Sequence, residues 1–380
     1  MGDRYRVCAF CVMDTSDPEI TFDSAGRCNH CIGMEAARGK SWFSDDSGHG
    51  RLQAALAVIR ADGEGKEYDS ILGLSGGADS SYVALKAHDW GLRPLVVHVD
   101  AGWNSELAVA NIKSILDYTG WELHTRVINW EDMRDLHLAY LKSGIANQDV
   151  PQDHAFFAGL YHFATRNRIR TVLNGGNAAT EGIFPETWHA AAMDARNLKA
   201  IHDAFGHREL RDYPTISFSQ YYIWYPLVKR MSPFRPLNLI NYDKSEAMIE
   251  LENRVGWRPY PRKHGESIFT KFFQNYYLPE RFGFDKRRPH FSSQIVSGQL
   301  SRDDALLMLD EPLYETGELR RDTRYLQKKL RISSDEFEEL MNVPVHHAGE
   351  FANWDSRRDA IKRVQSGVRR VTGRNLSVYS

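Results

Sequence analysis

Apolar residues are distributed along this chain in two rhythms. Short apolar runs at 70–74, 94–100, 122–128 and 171–174 are bounded by Gly-containing or polar turns. Such runs predict strands buried on both faces. The segments between them carry the wider spacing of amphipathic helices. One follows 75–81 and runs to about Trp90. A second begins at a Ser105 cap, places Leu107, Ile112, Ile115 and Leu116 on one face, and stops at Gly120. A third is predicted from about Asp153 to Asn167. Strands alternating with helices imply an α/β fold: a parallel sheet with helices on both faces.

The flanks read differently. Residues 33–67 look like a connector, with a polar loop over 42–50, a short helix over 52–59 and a turn over 61–66. From about Leu237 the chain turns helical, basic and aromatic. Ser301 with Asp304, and Ser333 with Glu336, are spaced as helix N-caps with their partners. Beyond His347 the sequence is polar and basic without a clear fold signal, as in a solvated helix or a partly disordered tail. The expected organisation is 1–40, 41–236, 237–346 and a tail over 347–380.

Ligands of such sheets bind beyond the carboxyl ends of the strands. That rule puts 75–80, Asp100 and 174–177 on one rim. The loop after the first strand reads Ser75-Gly76-Gly77-Ala78-Asp79-Ser80-Ser81. Two glycines between a strand and a helix let backbone N–H groups approach an anion, and the helix N-terminus adds its positive end. The Gly-Lys-Ser/Thr ending of the P-loop is absent. The pattern instead resembles the PP-loop of ATP pyrophosphatases, which split ATP into AMP and pyrophosphate. Ser75, Gly76, Gly77, Asp79, Ser80 and Ser81 are the candidate nucleotide-binding residues. Asp100, ending the second strand, is placed to accept from ribose or adenine-side donors, to help hold Mg²⁺, or simply to close a turn. Gly176 and Asn177 offer donors to ATP or a substrate carbonyl, or form a tight turn.

All four cysteines lie within the first 31 residues. Cys8-x-x-Cys11 and Cys28-x-x-Cys31 flank the segment 12–27, the spacing of a zinc ribbon with two knuckles. Four thiolates close such a site, so the Zn²⁺ is expected to be structural. No cysteine is left for a cysteine-dependent glutaminase or a sulfur relay. Nitrogen for any amination must therefore come from elsewhere.

Composition changes this picture little. Charged residues make up 26% and the formal net charge is −2, which counts against a dedicated nucleic-acid binder. No apolar run reaches membrane-spanning length and no secretory pattern opens the sequence, so a cytoplasmic protein with no membrane partner is expected. Basic residues gather at 258–263 and 286–288, where they suit an anionic small substrate.

Six blocks occur in one order: the cysteine ribbon, 75–80, His98-Val99-Asp100-Ala101-Gly102-Trp103-Asn104-Ser105, Gly176-Asn177-Ala178-Ala179-Thr180-Glu181, Lys263-His264-Gly265-Glu266-Ser267 and Asp285-Lys286-Arg287. Together they resemble the N-acetyl sugar amidotransferase family of surface-polysaccharide (O-antigen, lipopolysaccharide) biosynthesis, over residues 5–345. The resemblance implies a five-stranded PP-loop sheet of the adenine nucleotide alpha-hydrolase type. It implies ATP-dependent conversion of an acetamido group, on a nucleotide-linked sugar, to an acetamidino group through an adenylylated imidate. Asp79 would orient the loop or reach Mg²⁺. Lys263, Lys286 and Arg287 would bind phosphate or a sugar acid, and His264 or Glu266 would manage the protons of ammonia. A glutaminase with an ammonia-channelling barrel subunit is the implied partner. Zinc ribbons joined to PP-loops also occur in tRNA-thiolating enzymes, an alternative that the lack of spare cysteines counts against.

Overall fold

The computed structural model describes residues 5–188, 191–261, 265–361 and 363. Five strands, β1 (Ser70–Gly73), β2 (Pro94–Asp100), β3 (Leu123–Val127), β4 (Thr171–Leu173) and β5 (Ser232–Phe234), form one sheet in the order β3-β2-β1-β4-β5. Every pairing is parallel. Ile71 lies in register with Leu95 and Val172, and Leu72 with Val96 and Leu173. Alternate residues of a strand face opposite sides, and both sides are apolar here. Ile71, Leu95, Val97 and Val172 enter one core; Leu72, Val96 and Leu173 enter the other. Each fully buried aliphatic side chain contributes about 1.5–3 kcal/mol relative to exposure.

Helices cover both faces. α1 (Asn29–Ala37) closes the cysteine ribbon, and α2 (Asp46–Asp62) follows it. The polar stretch expected to be a loop is thus partly helix. Asp45 caps α2 through Ser47 N, and Gly48 lets the helix approach the carbonyls of Phe43 and Leu239. α3 (Ala78–Asp89) and α4 (Glu106–Thr119) follow β1 and β2. Ser105 caps α4 by accepting from Ala108 N, and Gly120 ends it with φ +70°. α5 (Trp130–Ser143) has no counterpart in the sequence reading. α6 (Val150–Arg166) starts a turn before the expected Asp153, which lies inside its first turn. α7 (Ala178–Glu181) and α8 (Ala195–Phe205) lead to a π-helix at Gln220–Val228 and then to β5. β5 contains Pro233, which an edge strand tolerates because one side needs no ladder donor.

The remainder is helical as expected: α9 (Lys244–Val255), α10 (Ile268–Phe272), α11 (Leu278–Phe282), α12 (Arg287–Ser297), α13 (Arg302–Asp310), α14 (Thr316–Leu330) and α15 (Ser334–Met341). Ser301 caps α13, and Ser333 with Glu336 forms a complete capping box on α15. A third core, with Trp103, Phe269, Phe272, Leu326 and Leu330, joins these helices to the loop after β2. The described part of the tail is anchored: Trp354 is buried and its N–H donates to Asp194.

Candidate functional site

Strand order places a switch point between β1 and β4. From β1 the chain proceeds to β2 and β3 on one side, then returns to β4 on the other. The crevice at such a reversal is where open α/β sheets bind ligands. Both bordering loops are the predicted ones, 75–80 after β1 and 174–177 after β4.

The first loop is held in shape from several sides. Gly76 has φ +83°, and a Cβ there would lie 2.6 Å from the Ala108 carbonyl oxygen. Only glycine satisfies both constraints. The Gly76 carbonyl accepts from Trp257 Nε1 and from the Tyr260 hydroxyl, each at 2.9 Å. Ser75 and Ser80 bring their hydroxyl oxygens to 3.0 Å, Gly77 N–H donates to Ser75 Oγ, and Ser80 Oγ donates to Gly77 O. Gly77 occupies the cap position of α3, and no side chain caps that helix. The first N–H groups of a helix have no intrahelical partner, and here no side-chain cap takes them, an arrangement suited to phosphate. Ser81 differs from its neighbours: it is fully buried within α3, so it lines the core and not the phosphate path.

Asp79 lies at the centre of the crevice. Its Oδ1 accepts from the Tyr242 hydroxyl at 2.6 Å and from Asn177 Nδ2 at 3.2 Å. Its Oδ2 lies 3.1 Å from Lys244 Nζ. Burial works against the Lys244 charge, but Asp79, Glu181 and Glu266 outweigh it and raise the lysine pKa. Burial, reinforced by Asp79, drives the Tyr242 phenol far above its ordinary value. Neither Tyr242 nor Lys244 was singled out by sequence reasoning. Asp243, one residue earlier, caps α9 and gave the only local signal.

Asn177 is buried and fully engaged. Its Nδ2 donates to Asp79 and Gly175 O, and its Oδ1 accepts from Thr180 N and Oγ1. It ties the two loops together, so its side-chain amide is taken up within the fold and serves the turn rather than ATP or a substrate carbonyl. Gly176 N–H is likewise taken by Asn174 Oδ1 at 2.6 Å. Asp100 acts as a turn residue: its Oδ1 accepts from Gly102 N and Asn104 Nδ2. His98 completes this corner, with Nδ1 on Leu74 O and Nε2 facing Asn104 Nδ2.

The segment around Glu266 closes the rim. Ser105 N–H donates to Glu266 O, and Ile268 N–H to Trp103 O. A Cβ on Gly77 would stand 3.5 Å from Glu266 Oε1. The C-terminal block thus reaches the phosphate loop. Lys263 and His264 of the same block lie outside the described residues.

The last block, expected to bind phosphate or a sugar acid, is taken up within the fold. Arg287 uses all five N–H donors within the fold, on the Asp285 carboxylate and on the carbonyls of Met308, Leu309 and Glu311. It clamps the C-terminus of α13 and has no donor left for a phosphate. Lys286 is buried over the Phe184 ring, 5.0 Å from its centroid, and faces Asp149 and Asp153. Burial raises the Asp153 carboxyl to about 7 despite that lysine.

The cysteines converge. All four are buried and their Sγ atoms lie within 4.8 Å of one another. The Sγ–Sγ separations are 4.0 Å for Cys8–Cys31, 3.7 Å for Cys11–Cys28 and 3.5 Å for Cys28–Cys31. Tetrahedral Zn²⁺ with bonds of about 2.3 Å requires about 3.8 Å between sulfurs, so the cage fits zinc. Backbone N–H groups of Phe10, Cys11, Met13, Cys28 and Cys31 point at the sulfurs, as thiolate charge requires. Arg302 donates to the carbonyls of Cys8 and Cys11 and docks the ribbon on α13. Among the described residues this is the group that assembles as a metal site. Lys244 stands among the rim carboxylates, which do not assemble as a metal site among the described residues.

Residues 266–365 match the family described as LPS biosynthesis protein WbpG-like, C-terminal domain. The match continues past residue 345, where the resemblance read from the sequence ended. Among solved structures the chain is similar to NMN synthetase from Francisella tularensis (16% identity, 57% of this chain and 90% of that one, TM-score 0.31). It is also similar to NH3-dependent NAD synthetase from Campylobacter jejuni (13%, 57% and 99%, 0.27) and NAD+ synthetase from Burkholderia pseudomallei (18%, 61% and 94%, 0.29). No curated protein matches the chain. Residues 266–365 are thus similar to a WbpG-like C-terminal domain, in agreement with the resemblance to surface-polysaccharide amidotransferases.

Proposed function

We propose that this protein is an ATP-dependent amidotransferase that converts the N-acetyl group of a nucleotide-linked sugar into an acetamidino group. The observation that carries the reading is a single juxtaposition. The uncapped N-terminus of α3 and its glycine loop meet Glu266, the first residue of the WbpG-like domain, at Gly77. In this reading, phosphate chemistry and the polysaccharide-type domain share one rim.

An amide carbon is a weak electrophile, and its oxygen leaves poorly. In the proposed reaction the acetamido oxygen attacks the α-phosphorus of ATP. The bond from that phosphorus to the bridging oxygen breaks, and pyrophosphate departs. The α3 N–H groups and the Ser75 and Ser80 hydroxyls stabilise its charge. Ammonia then adds through its lone pair to the imidate carbon, a proton is lost, and the C–O bond to AMP breaks. Glu266 stands beside the loop where that proton could be accepted, and His264 remains a candidate for the same task. Lys263 is a proposed phosphate contact. Asp79, held by Tyr242 and Lys244, keeps the loop in its phosphate-accepting shape. Zinc, held by the four thiolates, would fix the ribbon and takes no part in the reaction.

Ammonia is proposed to come from a partner glutaminase, since every cysteine lies in the ribbon. No helix among the described residues is long and apolar enough to cross a membrane, and action in the cytoplasm is proposed. The test is product analysis with candidate nucleotide sugars and ammonium. AMP, pyrophosphate and an amidine are expected, whereas ADP and phosphate would refute the reading.

A further inference from the structure

With Arg287 and Lys286 engaged inside the fold, recognition of an anionic acceptor needs another cation. Arg235 follows β5 directly, at the carboxyl end of the sheet. It is exposed, and its guanidinium makes no hydrogen bond or ion pair among the described residues. Its backbone is nonetheless fixed. The β5 ladder holds it on one side, and Pro236 restricts it on the other, with φ −105° and ψ 80°.

Its side chain lies along the switch-point loop. Arg235 Nε is 3.8 Å from the Cβ position of Gly176, and Gly175 packs in turn against the backbone of Asp79 and Ser80. The Tyr221 phenol is raised by burial and opposed by the Arg235 charge, so the two groups are neighbours. β1, β4 and β5 are adjacent in the sheet. At about 4.8 Å per strand, Arg235 begins about 10 Å from the phosphate loop. That span suits an acceptor whose amide reaches the α-phosphorus while a charged group lies at its far side.

We infer that Arg235 recognises the anionic group of the acceptor. This inference rests on the amidotransferase reading. A planar fork of donors matches the paired oxygens of a carboxylate or a diphosphate. An exposed arginine without a partner gains that contact without first breaking an internal one. The anion is either the carboxylate of a sugar acid or the diphosphate of the carrier.

The test uses the full chain with Arg235→Gln and Arg235→Lys. Equilibrium binding is measured with the protein loaded with a non-hydrolysable ATP analogue. Three probes are compared: a UDP-linked N-acetyl sugar acid, a UDP-N-acetylhexosamine without the carboxylate, and the free N-acetyl sugar acid. The Gln variant should weaken the first probe roughly 10- to 100-fold, the scale of a charge-assisted hydrogen bond, with affinity for the analogue unchanged. The Lys variant should recover only part of the loss. If the carboxylate is recognised, the second probe will be insensitive to the substitution; if the diphosphate is, the third will be. Unchanged binding of all three, or no binding to the unsubstituted protein, would overturn the inference. Arg235-dependent binding without AMP formation would leave it standing and refute the amidotransferase reading instead.

Discussion

Lys244 Nζ lies 3.1 Å from Asp79 Oδ2, while the Tyr242 hydroxyl donates to the other oxygen of the same carboxylate at 2.6 Å. Two residues from the start of α9 thus hold the acid that opens α3. The phosphate loop is braced from the C-terminal half of the chain as well as by its own sheet.

This bracing predicts a coupled loss. Asp79→Asn and Lys244→Ala should each lower ATP turnover by roughly 100-fold, since each leaves a partly buried charge without its partner. The double variant should be far less impaired than the product of the two. Turnover in a double-mutant cycle checks this, and strict additivity would contradict a direct pair.

The two loop glycines should differ. Gly76→Ala puts a methyl 2.6 Å from the Ala108 carbonyl at φ +83°, whereas Gly77→Ala makes only ordinary contacts of 3.4–3.6 Å. Gly76→Ala should reduce nucleotide binding at least tenfold and cost about 1–3 kcal/mol of stability. Gly77→Ala should fold normally. Its effect should appear in binding alone, because its methyl projects toward Glu266. Thermal melts and nucleotide titration separate the two.

Arg287→Ala should act on stability. With its contacts to Asp285 and the α13 carbonyls removed, the variant should melt earlier, by about 1–3 kcal/mol. Its KM for the acceptor should be unchanged once folded. A raised KM at unchanged stability would return Arg287 to the binding site.

Two buried histidines predict acid sensitivity. His154 donates from Nδ1 to Ala192 O and accepts at Nε2 from Ile216 N–H, which fixes a neutral ring. His137 accepts at Nε2 from Trp103 Nε1. Burial lowers the first to about 4 and the second to about 3. Between those values and about 6.5 the unfolded chain binds more protons than the folded one, so stability falls as pH drops through that window. For His154 the loss approaches about 3 kcal/mol. Asp153, raised to about 7, works in the opposite direction over pH 4–7, so the comparison must be made against a variant. His154→Gln should flatten the acid side of the stability profile, and an unchanged slope would contradict this assignment.

Removing the metal should unfold the ribbon. Purified protein should hold about one zinc per chain, and Cys28→Ser should lose it. Because Arg302 and Arg288 grip ribbon carbonyls, α12 and α13 should also become less protected from hydrogen exchange. Nucleotide binding should survive. A folded ribbon in metal-free protein would exclude this role.

Much of this architecture is legible because local signals coincide with it. Apolar runs, glycine punctuation and serine caps locate β1 to β4, α3 and α4, and Cys-x-x-Cys spacing locates the metal cage. What is lost depends on distance in sequence. α5 begins at an Asn129 cap but carries Asp132, Asp135 and His137, which look solvated until α8 and the segment 207–212 take up the two acids and Trp103 and Phe269 cover the histidine. β5 is three residues with a proline, too short for any period. Lys244 and Tyr242 reach Asp79 from more than 160 residues away. Arg287 looked available because a basic run gives no indication that helix-end carbonyls will occupy it.

The most direct test of the amidotransferase reading follows one oxygen atom. The acceptor is prepared with ¹⁸O in its acetamido carbonyl and incubated with ATP, ammonium and the protein, and products are analysed by mass spectrometry. The account predicts an amidine free of label, pyrophosphate free of label, and AMP carrying one ¹⁸O on its phosphate. Label in inorganic phosphate, with ADP as the nucleotide product, would contradict attack at the α-phosphorus and with it the function proposed for this rim.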